Sequence, residues 1–193
     1  MTLAGRTKLT LCARTAVRCG LARVVRFHRN ESGATAVEFS LVAVPFFALM
    51  FAILETALAF FAGQMLETAV GNAARLIRTG EAQTAGLTMA TFKGKVCAQL
   101  YDILDCDNGL KLDVRKFSTF DSINLTPPID ADGNLKTNDF VFQTGNGGDI
   151  VVVRAYYEWP VFLNKFGTNL QNLADGNYLL AAAAAFKNEP FPW

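Results

Sequence analysis

The sequence predicts an α+β protein in which a long N-terminal membrane-spanning helix continues into a small exported domain with a second helix and an antiparallel sheet. Three observations carry this. Residues 39–62 are almost wholly apolar, the next stretch keeps helical spacing as far as Gly80, and strand-type alternation takes over after residue 110.

Ahead of the apolar run lies a basic leader, residues 1–33. It holds Arg6, Lys8, Arg14, Arg18, Arg23, Arg26 and Arg29 against the single acid Glu31, a charge of +6, and the remaining 11 basic and 16 acidic residues give −5. The formal charge of +1 therefore conceals two oppositely charged parts. Basic residues beside an apolar segment stay on the cytoplasmic side, so the leader is expected there and the chain beyond about residue 64 outside. Nucleic-acid binding is the rival reading of the leader, but its charges directly adjoin a membrane anchor, and no nucleic-acid partner is expected. An Arg-rich, acid-poor leader also fits an organellar transit peptide, which leaves the junction at Gly33 to Phe39 unexplained.

That junction reads Ser32-Gly33-Ala34-Thr35-Ala36-Val37-Glu38-Phe39, a small-residue site placed before the apolar helix with one carboxylate just inside it. A secretory signal places its small-residue site after the apolar core. Here cleavage after Gly33 would leave the helix attached to the exported part; a flexible hinge before an uncleaved signal anchor is the other reading of Gly33. At about 1.5 Å per residue, residues 39–62 reach roughly 36 Å, enough for a hydrocarbon core of about 30 Å. Pro45 removes one hydrogen bond inside the run and predicts a kink or local melting.

After Gly63 the apolar residues thin to Met65, Leu66, Ala69, Val70, Ala73, Leu76 and Ile77, with Gln64, Glu67, Asn72, Arg75 and Arg78 opposite. This is an amphipathic continuation of the same helix. It should run from 34 to 79, with Gly80 as C-terminal cap and two cations near the negative end of the dipole. Residues 81–193 suffice for one small domain. A second helix is expected over 88–104, and strands over 110–117, 149–162 and 178–186. The stretch 126–148, rich in Pro, Asp, Asn and Gly, reads as loop with a short strand at 139–143.

Cys12 and Cys19 fall in the leader, Cys97 and Cys106 in the exported domain, where oxidation is favoured. On one unbroken helix the latter two would lie about 13.5 Å apart, beyond the reach of a disulfide. The break supplied by Asp105-Cys106-Asp107-Asn108-Gly109 makes a bridge the expectation, with two buried free thiols as the alternative. The sole histidine, His28, lies in the leader, and no Cys-x-x-Cys is present. Neither a histidine triad nor a metal site is expected in the exported domain, and no cofactor or catalytic residue is assigned. Asp130-Ala131-Asp132-Gly133-Asn134 has the oxygen density of a calcium loop but misplaces the glycine and lacks the terminal Glu, so it reads as a solvated turn. Gly145-Asn146-Gly147-Gly148 reads as a hairpin or loop entry into the following strand.

Gly33 followed by an apolar helix with Glu38 and Phe39 resembles the site cut by type IV prepilin peptidases. The rest is similar to the TadE-like pseudopilins of the Tad (Flp) pilus system. The resemblance rests on Glu55 late in the span, the Ala-Ala-Arg-x-Ile-Arg-Thr-Gly ending of the helix, Gly148 to Arg154 running on to Tyr157-Glu158-Trp159-Pro160, and the terminal Phe186 to Phe191. It spans residues 27–193. It implies a pilin-like fold and a non-enzymatic minor subunit needed for assembling a pilus that mediates adherence. It further implies cleavage between Gly33 and Ala34, residence in the bacterial inner membrane as a single-pass protein with a periplasmic C-terminal domain, and incorporation into the pilus as an open question. The implied partners are other pilin-like subunits, the major Flp pilin, the prepilin peptidase, the inner-membrane assembly platform and the lipid bilayer. Glu38 and Phe39 would serve assembly, Glu38 by pairing with the amine of a neighbouring processed subunit, unless it simply reaches interfacial water. Glu55 either reaches the periplasmic interface or contacts another subunit. The alternative is a membrane-anchored periplasmic binding domain or hydrolase that keeps its leader.

Overall fold

The computed structural model describes residues 33–101, 103–162 and 170–191; the basic leader up to Ser32, with Cys12, Cys19 and His28, lies outside the described residues. The element order is helix α1 (Ala34–Arg78), a short helix α2 (Glu81–Thr84), helix α3 (Met89–Cys97) and strand β1 (Leu110–Phe117). A 3-10 turn (Phe120–Ser122), strand β2 (Ile150–Trp159) and strand β3 (Tyr178–Lys187) follow. The expected α+β architecture, with a long apolar N-terminal helix, further helices and a three-stranded antiparallel sheet, is what the chain forms. Two compact units are present, Met1–Leu49 and Met50–Trp193.

In the first unit α1 opens at Ala34 and exposes almost every side chain: Val37, Phe39, Leu41, Val42, Val44 and Phe46 are all more than half exposed. The helix is long and apolar enough to cross a membrane, its most apolar window having a mean hydropathy of 2.3. Pro45 lies inside it without ending it. The Ser40 hydroxyl donates to the Ala36 carbonyl at 2.6 Å, so this apolar stretch hides its own hydroxyl group in the preceding turn.

In the second unit the same helix becomes one-sided. Ala59, Ala62, Leu66, Ala69, Val70, Ala73 and Ile77 are buried, a stripe at helical spacing. Its alanines let the helix come close to the sheet, where Leu110, Leu112 and Val114 of β1, Val151, Val153, Ala155 and Tyr157 of β2, and Leu180 and Ala182 of β3 complete the core. The sheet order is β1-β2-β3, both pairs antiparallel, with Val114 opposite Val153 and Val153 opposite Ala184. The helix ends where the sequence placed the stop: Gly80 has φ 80°, a left-handed conformation natural to glycine, and Arg75 and Arg78 occupy the last turn.

Two expectations need correcting. The second helix covers Met89–Cys97 and does not continue to 104; Ala98 caps it, and successive tight turns bond Leu100 N–H to Cys97 and Ile103 N–H to Leu100. The break therefore comes about eight residues before Asp105, where the Asp105 to Gly109 signal begins, and it turns the chain back so that Cys97 and Cys106 are joined, their Cα atoms 5.8 Å apart. Second, 139–143 forms no strand. Only Phe142 bridges β1, in parallel to Val114, because the Val141 N–H is taken by the Asp113 carboxylate.

The turn after the disulfide explains Gly109. A Cβ there would lie 2.5 Å from the Tyr157 ring, whose hydroxyl accepts the Asp105 N–H at 3.1 Å. The bridged loop is thus pinned to the central strand. Opening the bridge with Cys97→Ser should cost about 2–3 kcal/mol, mainly by releasing the unfolded chain. Denaturant titration of the oxidised protein and the variant measures this; equal midpoints would show that the Tyr157 contacts alone hold the loop.

Candidate functional site

Gly33 precedes the helix in an exposed position, and a Cβ built on it meets nothing within 4 Å. Its φ is not in the left-handed range, so the fold does not demand glycine there. Ala34 is the first helical residue, and Glu38 and Phe39 stand exposed one turn on, Phe39 at 69%. Gly33, Ala34, Glu38 and Phe39 are therefore accessible at a helix start.

Glu55 behaves differently. It is buried, 8% exposed, and its carboxylate accepts the backbone N–H of Phe162 in the turn that leaves β2. Around it Phe51, Leu54 and Leu58 of α1 face Trp159 and Phe162 across an apolar hollow of about 310 Å³. The carboxylate thus fastens the turn at 160–162 to the helix. Neither reading from sequence placed it there, since the partner is a backbone amide with no residue signature.

A third constellation was not foreseen. Asp113 of β1 is fully buried and accepts from Arg115 Nε at 2.9 Å, Arg154 Nε at 3.1 Å and Val141 N–H at 2.9 Å. The face of β1 carrying Lys111, Asp113 and Arg115 looks solvent-facing by alternation. In fact the loop through Asn124 and Asp139 lies over it: Arg154 also donates to the Asn124 carbonyl at 3.0 Å, and Arg115 to that of Asp139. The available clue was the register, since Asp113 stands directly opposite Arg154. Its loop neighbours, Pro127, Pro128, Lys136 and Phe140, edge a second hollow of about 300 Å³.

The stretches that suggested a resemblance converge at the end of α1. The Glu189 N–H donates to the Arg78 carbonyl at 2.9 Å, and the two side chains pair at 3.6 Å. Asn188 donates to the carbonyls of Thr144 and Asn146, while Gln83 reaches those of Ile77, Thr144 and Gly145. Gly147 lies so close to the C-terminal segment that a Cβ would meet Phe191 backbone atoms at 2.9 Å. In the same corner the Asn146 N–H, with Lys116 beside it, holds the Asp149 carboxyl below the usual carboxylate range. Asp130 is spent on its own turn, accepting from the N–H groups of Asp132 and Asn134.

A helix long and apolar enough to cross a membrane leads into a small α+β domain, consistent with a single-pass membrane anchor. Residues 33–75 match the family model described as TadE-like protein, which begins at the glycine before α1 and ends near that helix's last turn. The expected resemblance to that family is found there; the strand motif and the Glu-Pro-Phe ending lie beyond the matched residues. The family is a pilus-associated structural one. No curated protein matches the chain. No solved structure matches it either.

Two predictions follow from these geometries. Asp113→Ala leaves two arginines partly buried without their partner and should cost about 3–5 kcal/mol; chemical denaturation followed by circular dichroism would reveal it, and a change within about 0.5 kcal/mol, as at ordinary surface sites, would mean the pair is not structural. Because the folded pKa of Asp149 is depressed, its contribution is complete above the unfolded value of about 4 and is lost as pH falls through the lower folded value. Amide exchange at Asn146 should accordingly rise, relative to the rest of the sheet, only in that acid window.

Proposed function

We propose that the chain is a minor, pilin-like subunit of a Tad (Flp) pilus, processed by a prepilin peptidase between Gly33 and Ala34 and needed for pilus assembly and surface adherence. The observation that carries this reading is the coincidence of three boundaries: the TadE-like match starts at Gly33, the helix starts at Ala34, and unbroken apolar exposure follows. In this reading the protein sits in the bacterial inner membrane with its leader cytoplasmic and its sheet domain periplasmic. Its partners are other pilin-like subunits, the major Flp pilin, the peptidase and the assembly platform.

Glu38 supplies the assembly chemistry. A carboxylate just inside a membrane helix is costly unless paired. Cleavage creates an ammonium group on Ala34, and in a partly dry interface a carboxylate and an ammonium from neighbouring subunits attract by a few kcal/mol. Phe39 beside it adds apolar contact.

The test of processing uses the steric freedom at Gly33. Since the fold leaves room for a side chain there, Gly33→Leu should preserve the protein yet block cleavage, giving a precursor larger by the leader. N-terminal sequencing of the membrane-embedded wild type should begin at Ala34. A wild-type terminus at Met1 would support the uncleaved, anchored binding domain or hydrolase instead. For assembly, Glu38→Ala makes the span more apolar and should leave membrane level and cleavage unchanged, while piliation and attachment fall. Full attachment by a stable, cleaved variant would show that Glu38 merely faces interfacial water.

A further inference from the structure

The hollow beside Glu55 points to where the domain meets the bilayer. Phe51, Leu54 and Leu58 on the helix are each about half exposed or more, and Phe162 across from them is 80% exposed. Among the described lining residues Glu55 is the one ionisable group; it is buried, and its carboxylate accepts the Phe162 N–H. In water this would be an unusual apolar surface.

Its occupant follows from how the exposure is distributed round the helix. Phe51, Leu54 and Leu58 lie along one side, whereas Ile53 and Phe60 lie roughly opposite, and both are more than 60% exposed. At about 100° per residue these positions cover half the circumference or more, leaving only the sector of Glu55, Ala59 and Ala62 for the domain. A partner helix covers one stripe; an apolar solvent covers all of it. Phe51, Leu54 and Leu58 belong to the helix Ala34–Arg78, which is long and apolar enough to cross a membrane. Trp159, a half-buried amphipathic ring in the lining, is the residue type that settles at the level of lipid headgroups.

We propose that phospholipid acyl chains of the outer leaflet fill this hollow, so that Trp159 and Phe162 seat the domain at the boundary between headgroups and hydrocarbon, with Glu55 locking the turn that carries them. This rests on the membrane anchorage proposed above. Lipid contact on the exposed side would then end near Leu58 to Phe61, while Ala59 and Ala62 already belong to the domain core.

The chain has two tryptophans, so Trp193→Phe leaves Trp159 as the sole indole in the full-length protein. Reconstituted in phosphatidylcholine and phosphatidylglycerol vesicles, this variant should float with the lipid, lose most of its tryptophan emission to phospholipids brominated near the glycerol end, lose less to those brominated near the chain terminus, and resist aqueous acrylamide. Adding Phe162→Ser should weaken lipid quenching and admit acrylamide without preventing flotation. Flotation with full acrylamide access and no lipid quenching would overturn the seating while leaving the anchorage intact. Lipid quenching that disappears as the protein-to-lipid ratio is raised would overturn it in favour of a second copy filling the hollow. Failure to float would remove the anchorage and the seating together.

Discussion

The stripe of small and branched side chains along the second half of α1 is the contact on which the domain depends. Leu66, Val70 and Ile77 are sealed against the sheet, and each such side chain contributes on the order of 1.5–3 kcal/mol by leaving water. Alanine at 62, 69 and 73 keeps the helix close enough for Val151 and Val153 to reach it. The apolar face of the three-stranded sheet has to be covered, and the second half of α1 covers it. Substitutions in that stripe test folding, whereas Gly33 and Glu38 lie outside it and are exposed.

The opposite face of the sheet is closed by polar means. A long Pro- and Gly-rich loop cannot bury enough apolar surface to hold itself down, although Phe140 and Leu135 do pack on Tyr156, Leu173 and Leu179. Asp113 compensates. One carboxylate gathers two guanidinium groups and a backbone amide, and those guanidinium groups reach out to two loop carbonyls. The desolvation cost of such a buried group is met only when all its bonds are made, so the loop has one admissible position.

Local patterns were legible in the sequence, and tertiary choices were not. Strand β1 was readable to the residue because Leu110, Leu112 and Val114 alternate with charged neighbours, and Gly80 was readable as a helix stop because glycine tolerates the left-handed turn that ends it. The early end of α3 was not, since Gln99 and Leu100 are good helix formers and the deciding constraint is the covalent reach to Cys106. Nor was the burial of Asp113: alternation describes which face a residue occupies and says nothing of what later covers that face. Glu38 and Glu55 show the same limit from the functional side. Both are lone acids in apolar helix, identical by composition, yet one stands exposed near the helix start and the other is buried against the turn after β2.

That difference gives the two carboxylates different surroundings. A membrane-embedded acid is tolerated when its lone pairs are satisfied, and Glu55 obtains that satisfaction inside its own chain, from the amide of Phe162. Glu38 is exposed beside Phe39 near the helix start, and in the proposed reading its partner is an amine that cleavage would release on Ala34. A helical side chain leans back toward the preceding turn, so Glu38 can meet its own Ala34 amine as well as that of another processed subunit, and in the proposed assembly it meets the second. Processing and assembly would then be one coupled event: removal of a leader with charge +6 both frees the helix end and creates the cation that makes Glu38 adhesive.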